Sequence, residues 1–160
     1  MGNIAHFNIV CAASEFDRVL AFYLAALKPL GYKEMKRPVE NFVGLGNGYI
    51  ADFWIGAKKG CEKISIEDRK QIGCHFAFWG KDFTAVHAFH AAGLKAGGTD
   101  NGKAGYRPKY SKLYYGAFII DPLGNNVEVM CIYPPWMQWW WWRSWLPGGK
   151  VLEPENRKED

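Results

Sequence analysis

Two histidines and an acid stand where strand-forming residues surround them. His6 opens the run HFNIV, His75 opens HFAFW, and Glu128 lies inside NVEVMCI. Side chains alternate faces along a strand, so His6, Asn8 and Val10 share one face, and His75, Ala77 and Trp79 share one face of the counterpart run. Glu128 alternates with Val127, Val129 and Cys131. An ionised carboxylate among such neighbours is costly unless it is paired, hydrogen-bonded or bound to a cation. Asp52 poses the same problem in YIADFWI. Two neutral imidazoles with one or two carboxylates suit a divalent cofactor ion such as Zn, Ni, Mn or Fe, and three protein ligands leave positions free for substrate or water. His6, His75 and Glu128 are therefore the expected metal ligands.

These residues need elements to carry them, and the chain supplies those twice. Setting residues 15–31, EFDRVLAFYLAALKPLG, over 82–98, DFTAVHAFHAAGLKAGG, gives eight identities in 17 ungapped positions. Phe16 meets Phe83, Val19 meets Val86, Phe22 meets Phe89, Leu27 meets Leu94 and Gly31 meets Gly98. A shift of two residues in the preceding loop then places His6-Phe7 on His75-Phe76. Repetition of this kind governs the fold and is read before anything else. Phe16, Val19, Leu20, Tyr23 and Leu27 recur at helical spacing, as do Phe83, Val86, Phe89, His90 and Leu94, with glycines where each helix should stop. The runs YKEMKR, FVGLG and YIADFWI follow the first helix. A long irregular segment, then YYGAFII and NVEVMCI, follow the second. Turn residues separate them at Gly46-Asn47-Gly48 and at Asp121 to Asn125. The expected order is βαβββ, twice. His87 and His90, which fall on the second helix opposite Leu20 and Tyr23, are expected in surface or packing roles.

Composition narrows the partners. The 160 residues are 49% hydrophobic and 22% charged, which fits one globular domain. A net charge of +4 from scattered lysines shows no basic run interleaved with aromatics, so nucleic acid is not an expected partner. Cys11, Cys61, Cys74 and Cys131 lack the spacing of a metal knuckle or a disulfide framework and read as reduced thiols. With no secretory signal or membrane-length run, a cytoplasmic location is expected and a membrane role is not.

The segments HFNIVCAASEFDRVLAFY, HFAFWGKDFTAVHAFHAAGLKAGG and YYGAFIIDPLGNNVEVMC resemble the vicinal oxygen chelate superfamily, which includes glyoxalase I, extradiol ring-cleaving dioxygenases and bleomycin-resistance proteins. The resemblance runs from about residue 4 to residue 133. It is most specific in Asp121-Pro122, Gly124-Asn125 and Glu128, and in the His that opens each module. It implies an α+β fold in which two βαβββ modules, 3–57 and 72–133, pair into a cupped mixed sheet within one glyoxalase-like domain, 1–135. It implies metal ligands at His6, His75 and Glu128, with Asp52 nearest the remaining ligand place but one methylene shorter than the Glu usual there. The activity implied is lyase or isomerase chemistry on a small oxygen-rich substrate that chelates the metal and passes through an enediolate. Asp52 is then the leading base, Glu128 a ligand and proton shuttle, and Tyr115 an acid or hydrogen-bond donor. Ring cleavage by an iron dioxygenase and non-catalytic ligand binding of the bleomycin-resistance type are the alternatives.

Two further stretches bear on the substrate. TDNGKAGYRPKYSKLYY is too long and polar for a tight hairpin and reads as a functional loop. In it Arg107 and Tyr115, with Trp54 from the first module, are the expected substrate contacts. Beyond the resemblance lies a tryptophan-rich extension, 136–160, with Trp136, Trp139, Trp140, Trp141, Trp142 and Trp145. A contiguous aromatic patch marks an interaction surface, and a homodimer is the expected assembly.

Overall fold

In the computed structural model the described residues are 5–48, 50–60 and 73–134; the tryptophan-rich extension and Cys61 lie outside them. The order is β1 (Phe7–Cys11), α1 (Phe16–Ala26), β2 (Lys33–Val39), β3 (Phe42–Gly46), β4 (Phe53–Ala57), then β5 (His75–Trp79), α2 (Phe83–Lys95), β6 (Thr99–Tyr106), β7 (Tyr114–Ile120) and β8 (Asn126–Ile132). This is βαβββ twice. Each module forms its own four-stranded mixed sheet, ordered β1-β4-β3-β2 and β5-β8-β7-β6. The sheets are hydrogen-bonded separately and are joined through side chains.

The helices sit where the apolar spacing places them. Phe16, Val19, Leu20, Phe22, Tyr23 and Ala26 are the buried stripe of α1; Phe83, Val86 and Phe89 are that of α2. Asp82 caps α2 by accepting from the Ala85 N–H at 2.9 Å, whereas Glu15 makes no such bond at the start of α1. Pro29 cannot continue a helix, so α1 ends at Ala26 and a 3-10 turn, Lys28–Leu30, follows. Gly31 takes the left-handed conformation that ends this turn (φ 80°). In the second module that task falls to Gly97 (φ 97°) and not to Gly98, the residue aligned with Gly31. Gly98 is required for space, because a Cβ there would lie 2.4 Å from Ile119 Cγ2 and 2.9 Å from Phe22 Cε2.

One apolar core serves both modules. Phe7 meets Phe76 with ring centroids 4.9 Å apart, and Phe53 meets Phe78 at 5.4 Å. The turn 121–125 is locked to α1: Tyr23 Oη donates to Asp121 Oδ2, and the other Asp121 oxygen accepts from the Leu123 and Asn125 N–H groups at 2.8 Å each.

The segment expected to be a functional loop is mostly strand. Thr99–Tyr106 is β6, paired antiparallel to β7 with two register shifts, and only residues 107–113 connect them. An edge strand has one side of its backbone and much of its surface in solvent, so it carries polar and glycine residues that read as loop.

Alternation divides the second sheet. Tyr115, Ala117, Ile119, Val127, Val129 and Cys131 belong to the core. Tyr114, Gly116, Phe118, Glu128, Met130 and His75 take the opposite face, where Phe118, Glu128 and Met130 are themselves buried and His75 is exposed.

Candidate functional site

Glu128 is the buried acid of that face. It lies opposite Phe118 on β7 and Ala77 on β5. Its side chain runs over Gly116, where a Cβ would stand 2.7 Å from Glu128 Oε1. Tyr114 Oη donates to that oxygen at 2.7 Å. His75 Nε2 lies 3.4 Å from Glu128 Oε2, and the imidazole side chain is 53% exposed where the carboxylate is 2% exposed. The His75 Nδ1 is 3.1 Å from the Asn126 carbonyl. A carbonyl only accepts, so Nδ1 carries the hydrogen and the Nε2 lone pair turns toward the carboxylate. Two facing acceptors need a proton between them, and the pair is built to hold one. Burial raises the proton affinity of Glu128, against the opposing effects of Tyr114, His75 and Arg107. Burial, and then the Glu128 carboxylate, raise that of Tyr114.

A cation flanks the pair. Arg107 begins the β6–β7 connection; its Nη2 donates to the Lys103 carbonyl at 2.6 Å and its Nη1 to the Tyr106 carbonyl at 3.3 Å. The guanidinium carbon lies 5.2 Å from the centre of the Phe118 ring. The His75 ring stacks on the same Phe118 at 6.2 Å.

Of the expected ligands, the structure joins His75 to Glu128 and leaves the others apart. Among the described residues no group of three or more His, Cys, Asp or Glu could hold a metal ion. His6 is exposed at the start of β1. Asp52 precedes β4 and accepts from Tyr32 Oη at 3.0 Å, and Tyr32 in turn packs edge-on against Phe78. The Asp52 Oδ1 atom is buried without a hydrogen-bond partner. Tyr115 has the wrong parity for the face that carries Glu128. It is buried in the core, with its Oη 2.8 Å from His87 Nε2 on α2. The tyrosine that reaches Glu128 is its neighbour Tyr114, which the sequence places only among the tyrosines near Arg107 and gives no role at the acid. Trp54 stacks on Phe42 at 4.9 Å and donates to the Ala51 carbonyl, on the first sheet. His90 pairs with Asp100 at 2.9 Å, a packing role as expected.

The buried acid has a consequence for stability. The folded-state pKa of Glu128 is raised above its ordinary value of 4.5, so the native state binds that proton more tightly than the unfolded chain does. The stabilisation is complete below about pH 4.5 and is lost as pH rises through the folded value. Glu128→Gln keeps an acceptor for Tyr114 and removes the charge. In urea unfolding the variant should gain on the parent protein between about pH 4 and about pH 7. An unchanged difference across that range would show that Glu128 bears no such burial cost.

Comparison with protein-family models and with curated proteins finds no match. Solved structures do match. A glyoxalase/bleomycin resistance protein from Albidiferax ferrireducens is 21% identical with a TM-score of 0.54, over 77% of this chain and 94% of that one. A glyoxalase/bleomycin resistance protein/dioxygenase family enzyme from Burkholderia phytofirmans is 19% identical with a TM-score of 0.57, over 82% and 99%. A putative glyoxalase from Bacillus halodurans is 18% identical with a TM-score of 0.58, over 81% and 96%. At these identities the likeness establishes the fold alone: the two βαβββ modules of this chain are arranged as in the glyoxalase/bleomycin resistance structures it matches. Among the described residues no helix is long and apolar enough to cross a membrane.

Proposed function

We propose that a small oxygen-rich molecule binds at the exposed His75 end of this face of the second sheet and that the His75–Glu128 pair moves a proton on it, in lyase or isomerase chemistry through an enediolate-like intermediate. The observation that carries this reading is a carboxylate 2% exposed, held by Tyr114 and set 3.4 Å from a half-exposed imidazole. Perturbed acids of this kind concentrate at functional sites. His75 is the solvent-facing end of the pair; in the form of the pair that lacks the shared proton, its Nε2 takes the proton from a carbon beside a carbonyl, and Glu128 stabilises the imidazolium that results. Arg107 supplies positive charge to the developing oxyanion. Return of the proton to the neighbouring carbon, with the hydroxyl proton passing from the first substrate oxygen to the second, completes an isomerisation with no other reactant.

A Zn, Ni, Mn or Fe ion does not fit the donors among the described residues. His75 and Glu128 offer two, Tyr114 already holds one Glu128 oxygen, and neither His6 nor Asp52 joins them. A catalytic divalent site takes three protein ligands. No step is therefore routed through a metal, and the iron-dependent ring-cleavage reading lacks its ligand set among the described residues. Simple ligand binding without catalysis is the second reading, favoured by how little of Glu128 reaches the surface.

Hydrogen–deuterium exchange at the carbon-bound protons of dihydroxyacetone and pyruvate in D2O, followed by proton NMR, tests the proposal. The protein should accelerate exchange, and His75→Gln and Glu128→Gln should each slow it by roughly 100-fold, the usual weight of a general acid or base. Exchange that is equally fast in all three proteins, or absent in the parent, rejects proton transfer. Metal analysis of the same samples separates the alternatives. One equivalent of a divalent ion in the parent, lost from both variants, would restore the metal reading.

A further inference from the structure

We infer that Arg107 anchors a carboxylate, so that the ligand class is a small oxygen-bearing carboxylic acid, with a second oxygen presented to the His75–Glu128 pair. The placement of that second oxygen rests on the proton-transfer reading above; the anchor does not.

The guanidinium is positioned before any ligand arrives. Two main-chain carbonyls, of Lys103 and Tyr106, each take one of its N–H groups. Gly102 and Gly105 make the space it occupies, since a Cβ at either would stand 3.2 Å from an Arg107 Nη atom. An arginine has five N–H donors, so three remain without a partner among the described residues, and their planar fork matches a carboxylate. Among the described residues Arg107 makes no ion pair, whereas Arg18 and Arg37 are each paired with a glutamate. A guanidinium fixed beside an acid–base pair but not ion-paired to it needs a reason, and structural support alone does not require the charge.

Phe118 carries Arg107 at 5.2 Å and His75 at 6.2 Å, and it is the cross-strand partner of Glu128. The cation and the His75–Glu128 pair therefore share one aromatic platform. Lys109 and Lys112, exposed on the same connection, add positive potential at the entrance.

Titrations of the full chain with pyruvate, lactate and their methyl esters, read by NMR shift changes, provide the test. The acids should bind the parent protein at least roughly tenfold more tightly than the esters, as charge-assisted bidentate bonds allow. Arg107→Met should abolish that preference, and Arg107→Lys should keep part of it. Glu128→Gln should keep it whole while proton exchange is lost. Equal binding of acid and ester to the parent, which needs no variant to fold, overturns the anchor. So does a preference that persists in Arg107→Met. Exchange on dihydroxyacetone together with equal binding of acid and ester would sink the anchor alone; acid preference without any exchange would leave the anchor and sink proton transfer.

Discussion

Asp121→Ala is expected to cost roughly 4 kcal/mol or more of folding stability, a large part of the 5–15 kcal/mol that holds a domain of this size together. The reason is the number of donors that converge on one carboxylate. The Leu123 and Asn125 N–H groups share Oδ1, while Tyr23 Oη and the Asn125 side-chain amide at 2.9 Å share Oδ2. Tyr23 is fully buried and Asp121 is 4% exposed, so water does not replace the lost acceptor without rearrangement. Each buried donor left unmade costs about 1–3 kcal/mol, less than additively because the group relaxes together. Tyr23→Phe removes a single bond and should cost about 1–2 kcal/mol. Chemical unfolding of the two variants gives the comparison. An Asp121→Ala loss no larger than that of Tyr23→Phe would show that the turn closes without its carboxylate.

That lock explains why the Asp121 to Asn125 motif reads so clearly in the sequence without being part of the chemistry. It ties the turn before β8 to a helix of the other module, so it reports the architecture. The duplicated helices report it too, because their apolar spacing is a local property: Phe16, Val19 and Phe22 repeat as Phe83, Val86 and Phe89 and pack as expected. The pairing of His75 with Glu128 was readable for a similar reason, since adjacent strands and alternation suffice to place both on one face. His6 was not, because its distance from that pair depends on how two separately hydrogen-bonded sheets are set against each other, and no local pattern encodes this. Tyr115 and Tyr114 differ by one residue and hence by one face. The signal that separates them was present in the parity of β7: with Phe118 opposite Glu128, the even-numbered residues Tyr114 and Gly116 share the face of the acid. β6 was hidden by its own exposure. Its glycines look like loop residues, yet Gly102 and Gly105 are there to admit the Arg107 guanidinium.

Gly116→Ala should separate the site from the fold. The added methyl would lie 2.7 Å from Glu128 Oε1 and 3.3 Å from Tyr114 Cε1, closer than these atoms tolerate. Both neighbours are ends of side chains, so they move before the sheet does, and the stability loss should stay near 1 kcal/mol, the small end of overpacking costs. The carboxylate, however, can then no longer lie between Tyr114 and His75. General acid–base catalysis depends on hydrogen-bond reach, and a displacement of about 1 Å costs on the order of 100-fold in rate. Proton exchange in Gly116→Ala should therefore fall nearly as far as in Glu128→Gln, although the acid itself is intact. Binding of pyruvate should survive, because the Arg107 anchor stands on β6 and Phe118 and not on Gly116. Loss of exchange with retained binding is the pattern that only a positioned Glu128 produces. Full activity in Gly116→Ala would mean that the carboxylate works from some other place, and the Tyr114–Glu128–His75 arrangement would no longer be its functional geometry.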